Sequence, residues 1–255
     1  MNCKFLLPAL SLIALSCSGN SNTDTTIKQI NKDSSTTVYK LTSSIPEPTG
    51  YKRIHCDSNS FTAWLRSIAL KKDKTVYLFN GDKKNDQSAQ FAVLDISVGD
   101  KNLQQCADAV MRLRAEYLFA TKQFSAISFT DNEGSTYPFV QPYSKEHLQS
   151  YLPTVFGMCG SASLSKQLKH ANISDIKPGD VFIRGGFPGH AEIVMDVAVN
   201  NEGKKIFLLA QGYMPAQDIH ILVNPTNEKL SPWYEITDDI ICPEYTFTKN
   251  ELKTW

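Results

Sequence analysis

The sequence predicts an α+β domain, with helices first and an antiparallel meander later. Three observations predict it. In "DKNLQQCADAVMRLRAEYLFA", Leu103, Cys106, Ala107, Val110, Leu113 and Tyr117 recur at helical spacing. The apolar runs "DVFIR", "HAEIVMDVAV", "KKIFLLAQ" and "DIHILVN" then follow closely. Their connections, "GGFPG", "NNEGK" and "GYMPAQ", are turn chemistry.

The N-terminus stands outside that domain. "MNCKFLLPALSLIALSC" carries one charge, Lys4, and an apolar run from Phe5 to Leu15 that is too short to span a bilayer. Small residues and Cys17 end it. The segment resembles a bacterial lipoprotein signal, which implies removal of residues 1–16 and a lipid on Cys17. Cleavage of an ordinary secretory signal after Ser16 is the alternative. Either way the chain is exported, and the lipid reading anchors it to a membrane of the cell envelope, in the periplasm or at the outer membrane. Residues 17–45, rich in Ser, Asn, Thr and Asp, read as the lipidated Cys and a flexible tether. Residues 46–255 remain as one α+β domain, long enough for a real core.

Within it, "SNSFTAWLRSIAL" predicts a Ser-capped helix with Phe61, Trp64 and Leu65 on one face. "KTVYLFNG" and "QFAVLDISVG" read as strands around a polar loop. The long helix over 100–120 follows, with Asp108–Arg112 and Arg112–Glu116 at i,i+4. "FSAISFT" reads as a strand and "DNEGS" as a turn. "SKEHLQSYLPTVFG" predicts a helix interrupted or kinked at Pro153, and "SASLSKQLKH" a second short one. Strand alternation places His190, Glu192, Val194 and Asp196 on a polar face, and Ala191, Ile193, Met195 and Val197 on a core face.

Composition narrows the partners. Lys+Arg and Asp+Glu both number 26, so there is no basic excess to hold nucleic acid. Of the six cysteines, Cys3 leaves with the signal and Cys17 takes lipid. Cys56, Cys106, Cys159 and Cys242 remain and permit disulfides in an exported protein. There is no CxxC and no HExxH, so neither a metal nor another cofactor is expected.

Cys106, His190 and Gln211 come in the order that nucleophilic thiol chemistry uses. A thiol attacks only when ionised, so it needs an imidazole and a helix N-terminus. The imidazole needs a third group to hold its tautomer. Two strands and a turn separate His190 from Gln211, which places them on neighbouring strands. This layout is that of a papain-like cysteine hydrolase. "QQCADAV" and "GDVFIRGGFPGHAEIVMDV" resemble the CHAP and NlpC-type amidases, which cut peptidoglycan. The resemblance implies a nucleophile at Cys106 and a base at His190. A wider resemblance runs through "LQQCADAVMRLRAEYLF", "GDVFIRGGFPGHAEIVMDVA", "LLAQGYMPAQDIHIL" and "SPWYE". It is to an uncharacterised bacterial lipoprotein family, domain of unknown function 4846, and it implies no particular activity.

The expected function is a cell-envelope lipoprotein with cysteine-dependent amide hydrolysis, acting on peptidoglycan or peptides. The alternative is a non-catalytic surface lipoprotein whose papain-like core binds or supports. In that reading Cys106 is a buried small apolar residue, and His190 a turn-proximal residue with one backbone bond. Cys159, in "MCGSAS", also precedes a helix and is a second candidate thiol. Asp180 reads as a turn cap, and Arg112, Arg114 and Glu116 as a solvated helix face.

Overall fold

The computed structural model describes residues 39–255. The signal segment, Cys17 and most of the expected tether lie outside the described residues. Four helices run in order: α1 (Phe61–Ser67), α2 (Cys106–Ala120), α3 (Lys145–Met158) and α4 (Ser161–Gln167). Early strands are β1 (Tyr51–Arg53), β2 (Gln90–Val93), β3 (Ser128–Thr130), β4 (Thr136–Pro138) and β5 (Lys169–His170). The meander is β6 (Val181–Arg184), β7 (His190–Asn200), β8 (Lys205–Gln211) and β9 (His220–Leu222). Then come β10 (Tyr234–Glu235), β11 (Asp239–Ile241), β12 (Thr246–Thr248) and β13 (Leu252–Thr254).

Nine strands make one antiparallel sheet, β2-β9-β8-β7-β6-β13-β5, with β1 paired to β7 and β10 to β8. The fold is therefore mixed α+β with a dominant sheet. Its centre is the predicted meander, because short turns between consecutive apolar runs leave only antiparallel neighbours. No helix among the described residues is long and apolar enough to cross a membrane.

Both faces of the sheet are buried, which corrects the expected polar face of β7. On the helix side, Leu65, Val110, Leu113 and Leu164 pack with Ile193 and Met195. On the other side, Phe182, Val194, Phe207 and Leu209 pack with Phe247 of the β11–β12 hairpin. Each such side chain contributes about 1.5–3 kcal/mol when fully buried. A bulge in β7 further corrects the alternation. Val194 pairs with Leu209 and Asp196 with Leu208, so Met195 is the extra residue. Asp196 thereby turns to the helix side and meets Arg66 of α1, away from His190 and Glu192.

Several boundaries also differ. "KTVYLFNG" forms only isolated bridges, Tyr77 with Lys83 and Leu78 with Gln217. Its backbone instead closes a tight loop through Leu78 N–H to Asp82 O, around Gly81 at φ +86°. Residues 124–126 of "FSAISFT" are a 3-10 turn ahead of β3. α3 runs unbroken through Pro153, because Gln149, whose carbonyl loses its partner, is exposed to water. The packed chain begins ahead of residue 46: Thr42 donates its N–H to Ile68 O, and Ile45 is fully buried. Cys56, Cys106, Cys159 and Cys242 are all free thiols. No cross-link joins them.

Candidate active site

α2 begins at Cys106, later than the sequence pattern suggests. Gln105 is extended at φ −99° and ψ −154°, and Asp108 Oδ2 accepts its N–H at 3.0 Å. That local bond closes the first turn and diverts Asp108 from the expected pairing with Arg112. Burial pushes the Asp108 carboxyl up to about 8, against the pull of the Gln105 N–H. Cys106 thus occupies the first helical position, beside N–H groups that have no helical acceptor.

Two glycines allow the parts to meet. A Cβ on Gly212 would lie 2.9 Å from Gln105 O and 3.2 Å from Ala109 Cβ. The start of α2 therefore rests directly on the backbone that follows Gln211. A Cβ on Gly189 would lie 2.2 Å from Ser161 Oγ and 2.7 Å from the carbonyls of Arg184 and Gly186. His190 enters β7 from that tight corner. The structure joins His190 to Gln211 and starts α2, with Cys106 as its first residue, against the adjoining Gly212, while Cys17 is outside the described residues.

His190 is only 2 % exposed. Tyr213, Tyr245 and Phe247 surround its ring at centroid distances of 5.0, 4.8 and 6.0 Å. Its Nε2 lies 2.8 Å from Gln211 Oε1 and 3.5 Å from Glu192 Oε1. Burial pulls the imidazole toward its neutral form. Polar contact with Cys106, then contact with the Glu192 carboxylate, outweigh that and push it up to about 10.

The tautomer follows from a chain of donors. His220 Nδ1 is 2.9 Å from Asp218 O, and a carbonyl only accepts, so Nδ1 carries hydrogen. Burial holds His220 neutral, pulling it down to about 3, so its Nε2 is an acceptor. The Gln211 amide nitrogen faces that Nε2 at 3.3 Å and Glu244 Oε2 at 2.7 Å. Both contacts require the NH2 group there, which turns Gln211 Oε1 to accept the His190 Nε2–H. Nδ1 of His190 is then the nitrogen left for a thiol proton. Lys84 Nζ pairs with the same Glu244 oxygen at 2.7 Å and tethers the amide's anchor.

Lys84, Glu192, His220 and Glu244 were missed by sequence reasoning as site residues. A signal existed for two of them. Glu192 and His220 interrupt otherwise apolar strands, and a polar residue inside such a run requires a buried partner. Lys84 and Glu244 lie in loops and carry no such signal.

The other thiols are differently placed. Burial, then the charges of Asp131 and Asp108, push the Cys159 thiol up to about 11, which suppresses its reactivity. Cys242 is buried and donates to Glu192 Oε2 at 3.0 Å. Cys56 lies 3.2 Å from Arg66 Nη1. Asp180 accepts the Lys177 N–H at 3.0 Å and caps its turn. The expected solvated helix face is partly engaged: Arg112 pairs with Glu116 at 2.9 Å, and Arg114 stacks over Phe61, Tyr117 and Trp255.

No group of three His, Cys, Asp or Glu among the described residues is placed to hold a metal ion. An open cleft of about 720 Å³ lies between the 97–104 loop and α3, lined by Lys101, Gln104, Arg112 and Phe156 among others. It does not include Cys106 or His190.

The arrangement defines a class of site: a helix-initial thiol, an imidazole with a set tautomer, and an amide that sets it. The chain belongs to the family described as Domain of unknown function (4846), whose model matches residues 41–142 and 139–254. No curated protein and no solved structure matches the chain.

Proposed function

We propose that the chain is a cell-envelope cysteine hydrolase that cleaves an amide bond in peptidoglycan or a peptide, on a papain-like arrangement of helix and sheet. One arrangement carries the reading: His190 Nε2 lies 2.8 Å from Gln211 Oε1, and α2, whose first residue is Cys106, begins directly against the backbone at Gly212. His190 takes the thiol proton on Nδ1, and the Cys106 sulfur attacks the substrate carbonyl carbon. The Cys106 N–H, with no helical acceptor, is placed to stabilise the oxyanion. The intermediate collapses, the C–N bond breaks, and the imidazolium gives its proton to the leaving amine. Water, deprotonated by His190, then hydrolyses the thioester and restores the thiol.

The same reading takes residues 1–16 as a signal and Cys17 as a lipid anchor to the membrane. Nucleic acid has no place in it. The test is incubation with purified peptidoglycan or a peptide mixture, followed by mass spectrometry of the released fragments. New amine and carboxyl ends should appear with the wild type and not with Cys106→Ala. Equal cleavage by both proteins overturns the assignment. For the anchor, a labelled fatty acid should enter the wild type and not Cys17→Ala, which should also leave the membrane fraction. Equal labelling and membrane retention of both proteins overturns it.

A non-catalytic binding module is the second reading. The cleft of about 720 Å³ favours it, since that cleft lies apart from Cys106 and His190. The two readings separate on thiol reactivity. A catalytic Cys106 alkylates rapidly in the folded protein at neutral pH, whereas a packing cysteine waits for denaturant.

A further inference from the structure

Glu192 stands one step behind the dyad. Its side chain is wholly buried on β7, two residues after His190. Its Oε2 accepts a hydrogen bond from the Cys242 thiol at 3.0 Å. Its Oε1 has no hydrogen-bond partner, although it is buried, and lies 3.5 Å from His190 Nε2. Among the described residues, His190 is its one ion-pair partner. A buried carboxylate without Lys or Arg is unfavourable unless a neighbouring group supplies positive charge. Here the only group in place to do so is the imidazole.

The other polar groups around the pair are already engaged or neutral. Lys84 belongs to Glu244, and the Gln211 amide lies between that pair and His190. His220 on β9 is held neutral by burial. Tyr213 and Tyr245 present rings to His190. The Tyr234 hydroxyl on β10 donates to Val223 O. Cys242 retains its proton because burial and the adjacent carboxylate both raise it. Cys106, at the start of α2 against Gly212, is the remaining titratable group beside the imidazole.

We propose that Glu192 is a positioning residue of this site: its unpaired carboxylate oxygen holds His190 as the imidazolium, which leaves the proton off Cys106. The inference rests on the thiol–imidazole reading above. Gln211 sets which way the ring faces, and Glu192 sets its charge. Neither needs to touch substrate. The resting state is a chain of alternating charges, carboxylate, imidazolium and thiolate, so a nucleophile is present before substrate arrives.

The experiment measures alkylation of Cys106 by iodoacetamide from pH 5 to pH 10 in the full chain. Glu192→Gln keeps the size and an acceptor for the Cys242 thiol. It should move the lower limb of the rate profile up by about one pH unit, so that the rate at pH 7 falls about tenfold and the two proteins converge near pH 10. Cys242→Ala removes the hydrogen bond but not the charge, and its profile should match the wild type. A Glu192→Gln profile that keeps its midpoint overturns the proposal. If Glu192→Gln does not fold, NMR titration of ring-labelled histidine in Cys106→Ala decides. With the thiolate gone, Glu192 alone should hold His190 above the ordinary imidazole range, and a midpoint at or below that range overturns the proposal. A wild type with no rapid thiol phase at any pH defeats the hydrolase reading itself. A rapid phase that depends on His190 but not on Glu192 defeats only this inference.

Discussion

Glu192 and Asp196 are two buried carboxylates on one strand, and their partners differ. Asp196 is fully enclosed and holds two guanidinium groups, Arg53 at 2.6 Å and Arg66 at 2.7 Å. Its Oδ1 also accepts the Val197 N–H at 2.8 Å. Glu192 has a thiol on one oxygen and nothing hydrogen-bonded to the other. The single bulge at Met195 sends the two to opposite faces. Asp196 ties β1 and α1 to the sheet with every lone pair used. Glu192 keeps an unspent charge beside an imidazole. A saturated cluster resists change and serves stability, while an unsaturated one is free to bias a proton.

That contrast can be broken most sharply at Cys106. Cys106→Ala should remove the rapid alkylation phase entirely while Cys159→Ala keeps it, and urea unfolding of the folded Cys106→Ala protein should stay within about 1 kcal/mol of the wild type. A large stability loss with no change in reactivity would place Cys106 with the packing residues. The opposite signature belongs to the other cluster. Asp196→Asn leaves Arg66 without a carboxylate and Arg53 with Glu47 alone, and should cost about 3 kcal/mol in urea unfolding. Alkylation of its folded fraction should match the wild type; a slowed thiol would mean that the two clusters are coupled.

Smaller effects sharpen the picture within the site. Gln211→Ala frees the ring without removing the charge, so alkylation at pH 7 should slow by about threefold to tenfold, less than on loss of His190. Its pH midpoint should stay near that of the wild type, in contrast to Glu192→Gln.

A separate signal is in the pH dependence of stability. His190 is raised from an ordinary value of 6.5 to about 10 in the fold. A raised base contributes fully below the lower value and loses that contribution as pH rises toward the upper one. His190→Gln should therefore flatten the decline in stability between pH 6.5 and 10, by a slope of up to about one proton. Asp108, raised to about 8, also loses stability as pH rises within part of this window. The difference between the variant and the wild type is accordingly the quantity to read. Equal slopes in both proteins would show that the native imidazole is not held protonated.

Much of this was legible in the sequence alone. Helical periodicity located α2, apolar runs with turn residues between them produced β6 to β9, and the interval between His190 and Gln211 named two side chains that meet. These signals are local, because period and turn chemistry act over a few residues. The family, too, was recognisable from strings of residues. Only the tertiary structure decided where α2 begins, since the Asp108 bond to the Gln105 N–H overrides a pattern that extends further back. It also decided that the His190 face is covered. The β11–β12 hairpin that buries it is distant in sequence, and no periodicity announces which surface a hairpin will seek. The bulge at Met195 is invisible in a run of apolar letters, yet it separates Glu192 from Asp196. The links Lys84–Glu244 and Cys242–Glu192 join residues far apart in the chain, and such pairings depend on how the chain folds back, which only packing fixes.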